Sequence, residues 1–128
     1  MVCIKLVEKK PISVGQGNLN CPLHDAHEER VYEVNGKVVR VYINGESASQ
    51  WMNRLVVELG FATAPVGRRS KAIIFPNKKG YAVWLNIDQA GYSQYHLWIV
   101  SSEELDYDEL YFLIARLEKE FEEEMSVE

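Results

Sequence analysis

The sequence predicts an α+β protein in which a mainly antiparallel sheet carries two helices packed on one of its faces. Three observations lead to this prediction. Short apolar runs rich in β-branched and aromatic residues are bounded by turn residues, as strands are. An Asn-Gly pair joins two of these runs, which is typical of a hairpin turn. Two other stretches repeat apolar residues at the helical period. The predicted order is β, ββ, α, βββ, α in a single domain spanning residues 1–128.

The N-terminal part of the chain is expected to form one strand, a long loop and a hairpin. Apolar and polar residues alternate over Val2–Glu8, which predicts the strand. Residues 9–29 show no lasting period and contain several Gly, Pro and Asn residues, so a long loop is predicted there. The pair Asn35-Gly36 then predicts a hairpin over Arg30–Ile43. One common face of this hairpin is assigned to Tyr32, Val34, Val39 and Val41.

A helix and a three-stranded meander are expected next. Capping signals at both ends predict the helix over Ser47–Gly60, and residues 61–70 are predicted to be an irregular linker. The strands of the meander are predicted at Lys71–Phe75, Tyr81–Ile87 and Gln94–Val100. The short turns between them require antiparallel neighbours, because a parallel return needs a long crossover.

The second helix is predicted to start at Ser101 or Ser102 and to carry a stripe that faces the core. This stripe consists of Tyr107, Leu110, Ile114, Leu117 and Phe121. Residues 122–128 are expected to be a frayed acidic tail.

The charges are divided unevenly along the chain, whose net charge is −5. Residues 103–128 hold eleven acidic side chains against two basic ones, whereas residues 59–87 hold five basic side chains and no acidic one. Such asymmetry indicates either an anionic partner for the basic part or attraction between the two parts, within one molecule or between two copies.

The basic residues form the first candidate site. They are Arg68, Arg69, Lys71, Lys78 and Lys79, and Ser70 adds a hydroxyl donor. Arginine side chains suit phosphate oxygens, so these residues are candidates for binding nucleic acid or another anion. The alternative is that they are solvated charges that protect the end of the sheet from aggregation.

The aromatic face of the meander is the second candidate site. Strand alternation places Trp84, Asn86, His96 and Trp98 on the face opposite to Tyr81, Val83 and Leu85. A face exposed only to solvent should be more polar than this. We expect it to be covered by the N-terminal loop, by a second copy or by a ligand.

A cluster of cysteine and histidine residues is the third candidate site. Cys21, His24 and His27 lie within seven residues, and Cys3 could complete a set of four zinc ligands. A metal would hold the long loop. In an enzyme, His24 with Asp25 or Glu28 could act as a general base on a metal-bound water, as in a metal-dependent hydrolase. However, the C-x₂-H-x₂-H spacing matches no common zinc signature, and the alternative is a solvated loop with surface histidines.

Together these features predict a small, non-catalytic intracellular protein of the cytoplasm that binds a partner. It is expected to act as a homodimer through the aromatic face or the basic region. A nucleic-acid-binding module and a metal-dependent hydrolase are the alternatives. No apolar stretch approaches the roughly 18 residues of a membrane span, so no membrane partner is expected.

Overall fold

The computed structural model describes residues 1–12, 27–44, 48–87 and 94–126, and these residues form seven strands and two helices. The strands are β1 (Ile4–Pro11), β2 (Glu28–Val34), β3 (Lys37–Asn44), β4 (Ala64–Val66), β5 (Ser70–Ile74), β6 (Gly80–Asn86) and β7 (Gln94–Ser101). The helices are α1 (Ala48–Val57) and α2 (Tyr107–Ser126). Neither of these two helices is long and apolar enough to cross a membrane.

The strands form one antiparallel sheet with the order β1-β2-β3-β7-β6-β5-β4. The first three strands are one meander and the last four are another, and the two meanders join where β3 pairs with β7. The predicted fold class, an α+β protein with a mainly antiparallel sheet, is therefore confirmed.

The β2–β3 hairpin has the predicted turn. Asn35 and Gly36 both have positive φ, at 49° and 82°, and Val34 pairs with Lys37 across the turn. The face assigned from strand alternation is also confirmed, because all four of its residues are buried in the main core. The edge strand β1 runs further than expected, to Pro11, and is bulged between Leu6 and Glu8.

The main core lies between the sheet and α2. The helix contributes Leu110, Leu113, Ile114, Leu117 and Phe121, all of which are buried. The predicted start of α2 was wrong, because Ser101 remains in β7 and the helix begins at Tyr107. Asp106 and Glu109 form a reciprocal capping box there: Asp106 Oδ1 accepts the Glu109 N–H at 2.8 Å, and Glu109 Oε1 accepts the Asp106 N–H at 2.9 Å.

The expected frayed tail, residues 122–128, is helical in its described part, and residues 127–128 lie outside the described residues. The helix continues through Ser126, since Glu124 forms ion pairs with Lys9 at 2.7 Å and with Arg30 at 2.8 Å. Some acidic side chains of residues 103–128 are thus paired with basic side chains of the same molecule. Lys9 and Arg30 belong to the N-terminal meander, whereas Arg69, from residues 59–87, lies 3.8 Å from Glu122.

The first helix packs on the other face of the sheet, which corrects the expectation that both helices share one face. Met52 and Leu55 of α1 are buried against Ile73, Ala82 and Trp84. These sheet residues alternate with those that face α2, so the two helices enclose the sheet between them.

A short strand interrupts the predicted irregular linker between α1 and β5. This strand, β4, pairs with β5 at the edge of the sheet and places Ala64 opposite Ala72. Its three residues include Pro65, which cannot donate to a ladder and is tolerated at an edge. Such a short segment carries too little alternation to be recognised from sequence.

Candidate functional site

The aromatic face of β6 and β7 lies beneath α1. Trp84 is 6% exposed and His96 is 7% exposed. The partly buried ring of Trp98 meets Trp51 of α1 edge-on at 5.9 Å and Phe75 at 5.1 Å. The prediction that these side chains share a face is confirmed, but its cover is α1, which was not among the expected covers.

Asn86, the fourth residue of the predicted aromatic face, joins β6 to the loop before β5. Its side-chain amide donates to the Arg69 carbonyl at 2.9 Å, and its backbone N–H donates to Ser70 Oγ at 3.0 Å. Its Oδ1 atom is buried and accepts no hydrogen bond from the residues that the structure describes. The position of Asn86 therefore has a structural explanation.

The predicted basic patch does not converge. Arg69 donates to the Ile87 carbonyl at 3.1 Å, whereas Lys71 lies over the Trp84 ring at 5.1 Å on the α1 face. Lys78 and Lys79 follow β5 at its far end, about 15 Å from Arg69. These five cations consequently form no continuous basic surface.

The backbone N–H groups of the loop between β4 and β5 donate to a carboxylate of α2. Glu118, which is 2% exposed, accepts the N–H groups of Arg68 and Arg69 at 2.8 Å each. It also accepts the Ser70 hydroxyl at 2.7 Å. Successive N–H groups of this kind form an anion-binding nest, and here the anion is Glu118 itself. The expected Ser70 donor is thus already used.

Glycine is required at the start of this nest. Gly67 has φ of +64°, and a Cβ atom there would lie 2.8 Å from Ile114 Cγ2 and 2.9 Å from Glu118 Oε1. The backbone of the loop therefore approaches α2 more closely than a side chain would allow.

The predicted set of four metal ligands does not converge. Cys3 lies beside Asn35, whose Oδ1 accepts the Cys3 N–H at 2.8 Å, and its thiol is free and exposed. His27 lies at the opposite end of β2, where its carbonyl accepts the Ile12 N–H at 3.0 Å. The seven residues of β2 separate the two by about 25 Å. Cys21 and His24 lie outside the described residues, and the described residues contain no group of three metal-ligating side chains.

The exposed side of α2 carries a groove that the sequence did not indicate as a site. The groove has a volume of about 700 Å³, and we call it the α2 groove. Its lining combines apolar and charged side chains. These are Val2, Ile4, Arg68, Phe112, Ala115, Arg116, Lys119, Glu120 and Glu123. Phe112 is 50% exposed and stands edge-on to Tyr111 at 5.3 Å.

Two cations of the α2 groove have no ion-pair partner among the described residues, namely Arg68 and Lys119. Arg116, in contrast, donates to Glu120 at 2.9 Å and to the Ile4 carbonyl at 2.7 Å. The side chains of Arg116 and Glu118 leave α2 in directions about 160° apart around the helix axis. The start of β1 and the Arg68 loop therefore flank α2 on opposite sides.

A buried ion network fixes α2 to the sheet beneath the groove. Arg30 is 1% exposed and donates to Glu28, Glu120 and Glu124, with its guanidinium 4.4 Å from the centre of the Phe121 ring. Burial opposes the charge of Arg30, but its contacts with Glu28 and Tyr32 together outweigh this effect, and its pKa is raised. A buried cation satisfied by several carboxylates holds its partners in one arrangement.

Tyr32 completes this network. Its hydroxyl donates to Glu120 at 2.6 Å, and burial together with this hydrogen bond raises the pKa of Tyr32. Burial opposes the ionisation of Glu124, but hydrogen bonds from Lys9 and Arg30 lower its pKa. Glu120, which lines the groove, is thus held by Tyr32 and Arg30 of the sheet.

One sequence signal could have revealed the groove. Phe112 falls outside the core-facing stripe of α2, and an aromatic residue on the solvent side of a helix is informative when charges surround it. The proximity of Arg68 to Lys119 could not have been inferred, since it depends on how Glu118 holds the loop. The chain matches no protein-family model, no curated protein and no solved structure.

Proposed function

We propose that this chain is a small, non-catalytic binding protein whose recognition surface is the α2 groove. The partner carries both negative charge and apolar groups. The observation that supports this most strongly is the position of Arg68 and Lys119, two cations without an ion-pair partner among the described residues, beside the half-exposed ring of Phe112. Aromatic anchors next to unpaired charges are typical of recognition surfaces.

The rigid surroundings of the groove support the same proposal. Glu118 fixes the backbone of Arg68, and the Ile4 carbonyl and Glu120 fix Arg116. Binding to a surface that is already ordered costs less conformational entropy. The groove therefore presents its charges at defined positions before a partner arrives.

The charges favour an acidic protein segment over nucleic acid. Glu120 and Glu123 line the groove among its cations, and they would repel a phosphate backbone. The remaining cations of the predicted nucleic-acid patch lie on other parts of the surface, as described above. A protein segment can place a carboxylate near Lys119 and an apolar side chain on Phe112, and so avoid these acidic residues.

The test is a fluorescence anisotropy titration with a short synthetic peptide that contains aspartate and leucine residues. We expect saturable binding at low ionic strength that weakens as salt is added. Arg68→Ala and Lys119→Ala should each raise the dissociation constant by up to about fivefold, because exposed ion pairs contribute modestly. Lys78→Ala is the matched control and should leave binding unchanged.

Two outcomes would contradict the proposed function. One is the absence of peptide binding at low salt. The other is a loss of binding in Lys78→Ala equal to that in Lys119→Ala, which would mean that the peptide responds to overall charge rather than to the groove. Stronger binding of a double-stranded oligonucleotide than of the peptide would favour the nucleic-acid alternative.

A further inference from the structure

The exposed side of α2 carries four residues that form one straight stripe. Asp108, Phe112, Ala115 and Lys119 follow one another at spacings of four, three and four positions, so they lie within about 60° of one another around the helix. Asp108 and Lys119 are exposed, Phe112 is half-exposed and Ala115 is partly exposed. We call these four residues the outer stripe.

The outer stripe is complementary to itself when its direction is reversed. A twofold axis that runs beside α2, perpendicular to it and level with the point midway between Phe112 and Ala115, sets the Phe112 ring against the methyl group of Ala115 of the partner subunit. The same axis sets the Asp108 carboxylate against the ammonium group of Lys119 of the partner subunit. A twofold axis repeats each contact, so both contacts occur twice. Size and charge are thus matched by one symmetry operation.

The spacing also suits the packing of two helices. Residues that alternate at four- and three-residue intervals form the seam along which helices pack at 8–10 Å. The small Ala115 side chain lets the helices approach, while Val2, Ile4 and Arg68 flank the seam in the same groove.

From this arrangement we infer that the partner recognised by the α2 groove is a second copy of this chain, joined through antiparallel pairing of the two α2 helices. The inference rests on the proposed function and names its partner. Each copy supplies the negative charge of Asp108 and the apolar ring of Phe112, which are the two groups that the groove of the other copy accommodates.

The test is sedimentation equilibrium on the full chain with charge-reversal variants. Asp108→Lys and Lys119→Asp each replace two attractive contacts with two repulsive ones, so each variant alone should dimerise about tenfold more weakly or worse. An equimolar mixture of the two variants should regain the dimer, because opposite charges again face each other at both contacts. Recovery in the mixture excludes misfolding, since the same substitutions are present. Lys78→Asp is the control of equal charge change and should dimerise as the wild type does.

The outcomes separate this inference from the proposed function. A wild-type protein that stays monomeric at all concentrations, yet binds the acidic peptide, would contradict the inference that the partner is a second copy. It would leave the proposed function of the groove intact. A wild-type dimer that is insensitive to both reversals, or a mixture that fails to recover, would also overturn it. A monomer that binds no peptide would overturn both.

Discussion

Replacing Glu118 by alanine should cost this protein a large part of its stability. The substitution leaves three donors without an acceptor, namely the buried Ser70 hydroxyl and the part-buried N–H groups of Arg68 and Arg69. Each unsatisfied buried donor costs about 1–3 kcal/mol, and water reaching the exposed side of the loop recovers part of this. We therefore expect the free energy of unfolding to fall by about 3–5 kcal/mol, out of the 5–15 kcal/mol typical of a domain.

Urea denaturation followed by circular dichroism measures this change. Glu118→Gln should cost less than Glu118→Ala, because the amide oxygen still accepts hydrogen bonds. Glu122→Ala is the matched control: its carboxylate is half-exposed and lies 3.8 Å from Arg69, so the free energy of unfolding should change by less than about 0.5 kcal/mol. A loss below about 1 kcal/mol in Glu118→Ala would refute the reasoning that the nest anchors α2 to the β4–β5 loop.

Two further predictions concern the second face of the sheet and the start of α2. Trp84→Ala removes a side chain that is 6% exposed beneath α1, so it should lower the free energy of unfolding by about 3–5 kcal/mol without changing the mass of the particle. Light scattering that showed a change in mass at unchanged stability would contradict this. Burial opposes the ionisation of Glu109, but hydrogen bonds from Lys37, the Asp106 backbone and Asn35 lower its pKa below the usual 4.5. Because the pKa of Glu109 is lower in the folded state than in the unfolded state, its ionised carboxylate stabilises the folded protein at a pH above the unfolded-state pKa. This stability is lost as the pH falls through the folded-state pKa. Urea titrations between about pH 5 and pH 3 should therefore show a smaller loss in Glu109→Gln than in the wild type. An equal loss in both proteins would contradict the role of Glu109.

The strands could be predicted because their signals are local. The Asn35-Gly36 turn fixes the register of its hairpin, and alternation then fixes which side chains share a face. The same reasoning correctly separated Tyr81 from Trp84. Local patterns could not show which face each helix covers, because that depends on how the crossover through α1 carries the chain between the two meanders.

The start of α2 was missed for a related reason. Ser101 has the residue type of a helix cap, but it pairs with Val39 in the sheet, and the capping box of Asp106 and Glu109 lies five residues further on. When several residues could cap a helix, the length of the preceding strand determines which of them does so.

The candidate site was harder to predict than the fold. Arg68 was correctly singled out as a cation, but its neighbours in space, Lys119 and Phe112, come from a helix fifty residues away in the chain. What joins them is the buried contact between Glu118 and the loop backbone. A sequence of mixed charges gives no sign that one glutamate accepts backbone N–H groups while its neighbours face solvent.

We propose that recognition occurs at the exposed side of α2. Backbone amide shifts in two-dimensional NMR spectra test this directly, recorded as the protein is concentrated and as the acidic peptide is added. The shifts in both series should centre on Arg68, Phe112, Ala115 and Lys119. Shifts centred instead on Trp84 and Trp98, or no shifts in either series, would contradict it.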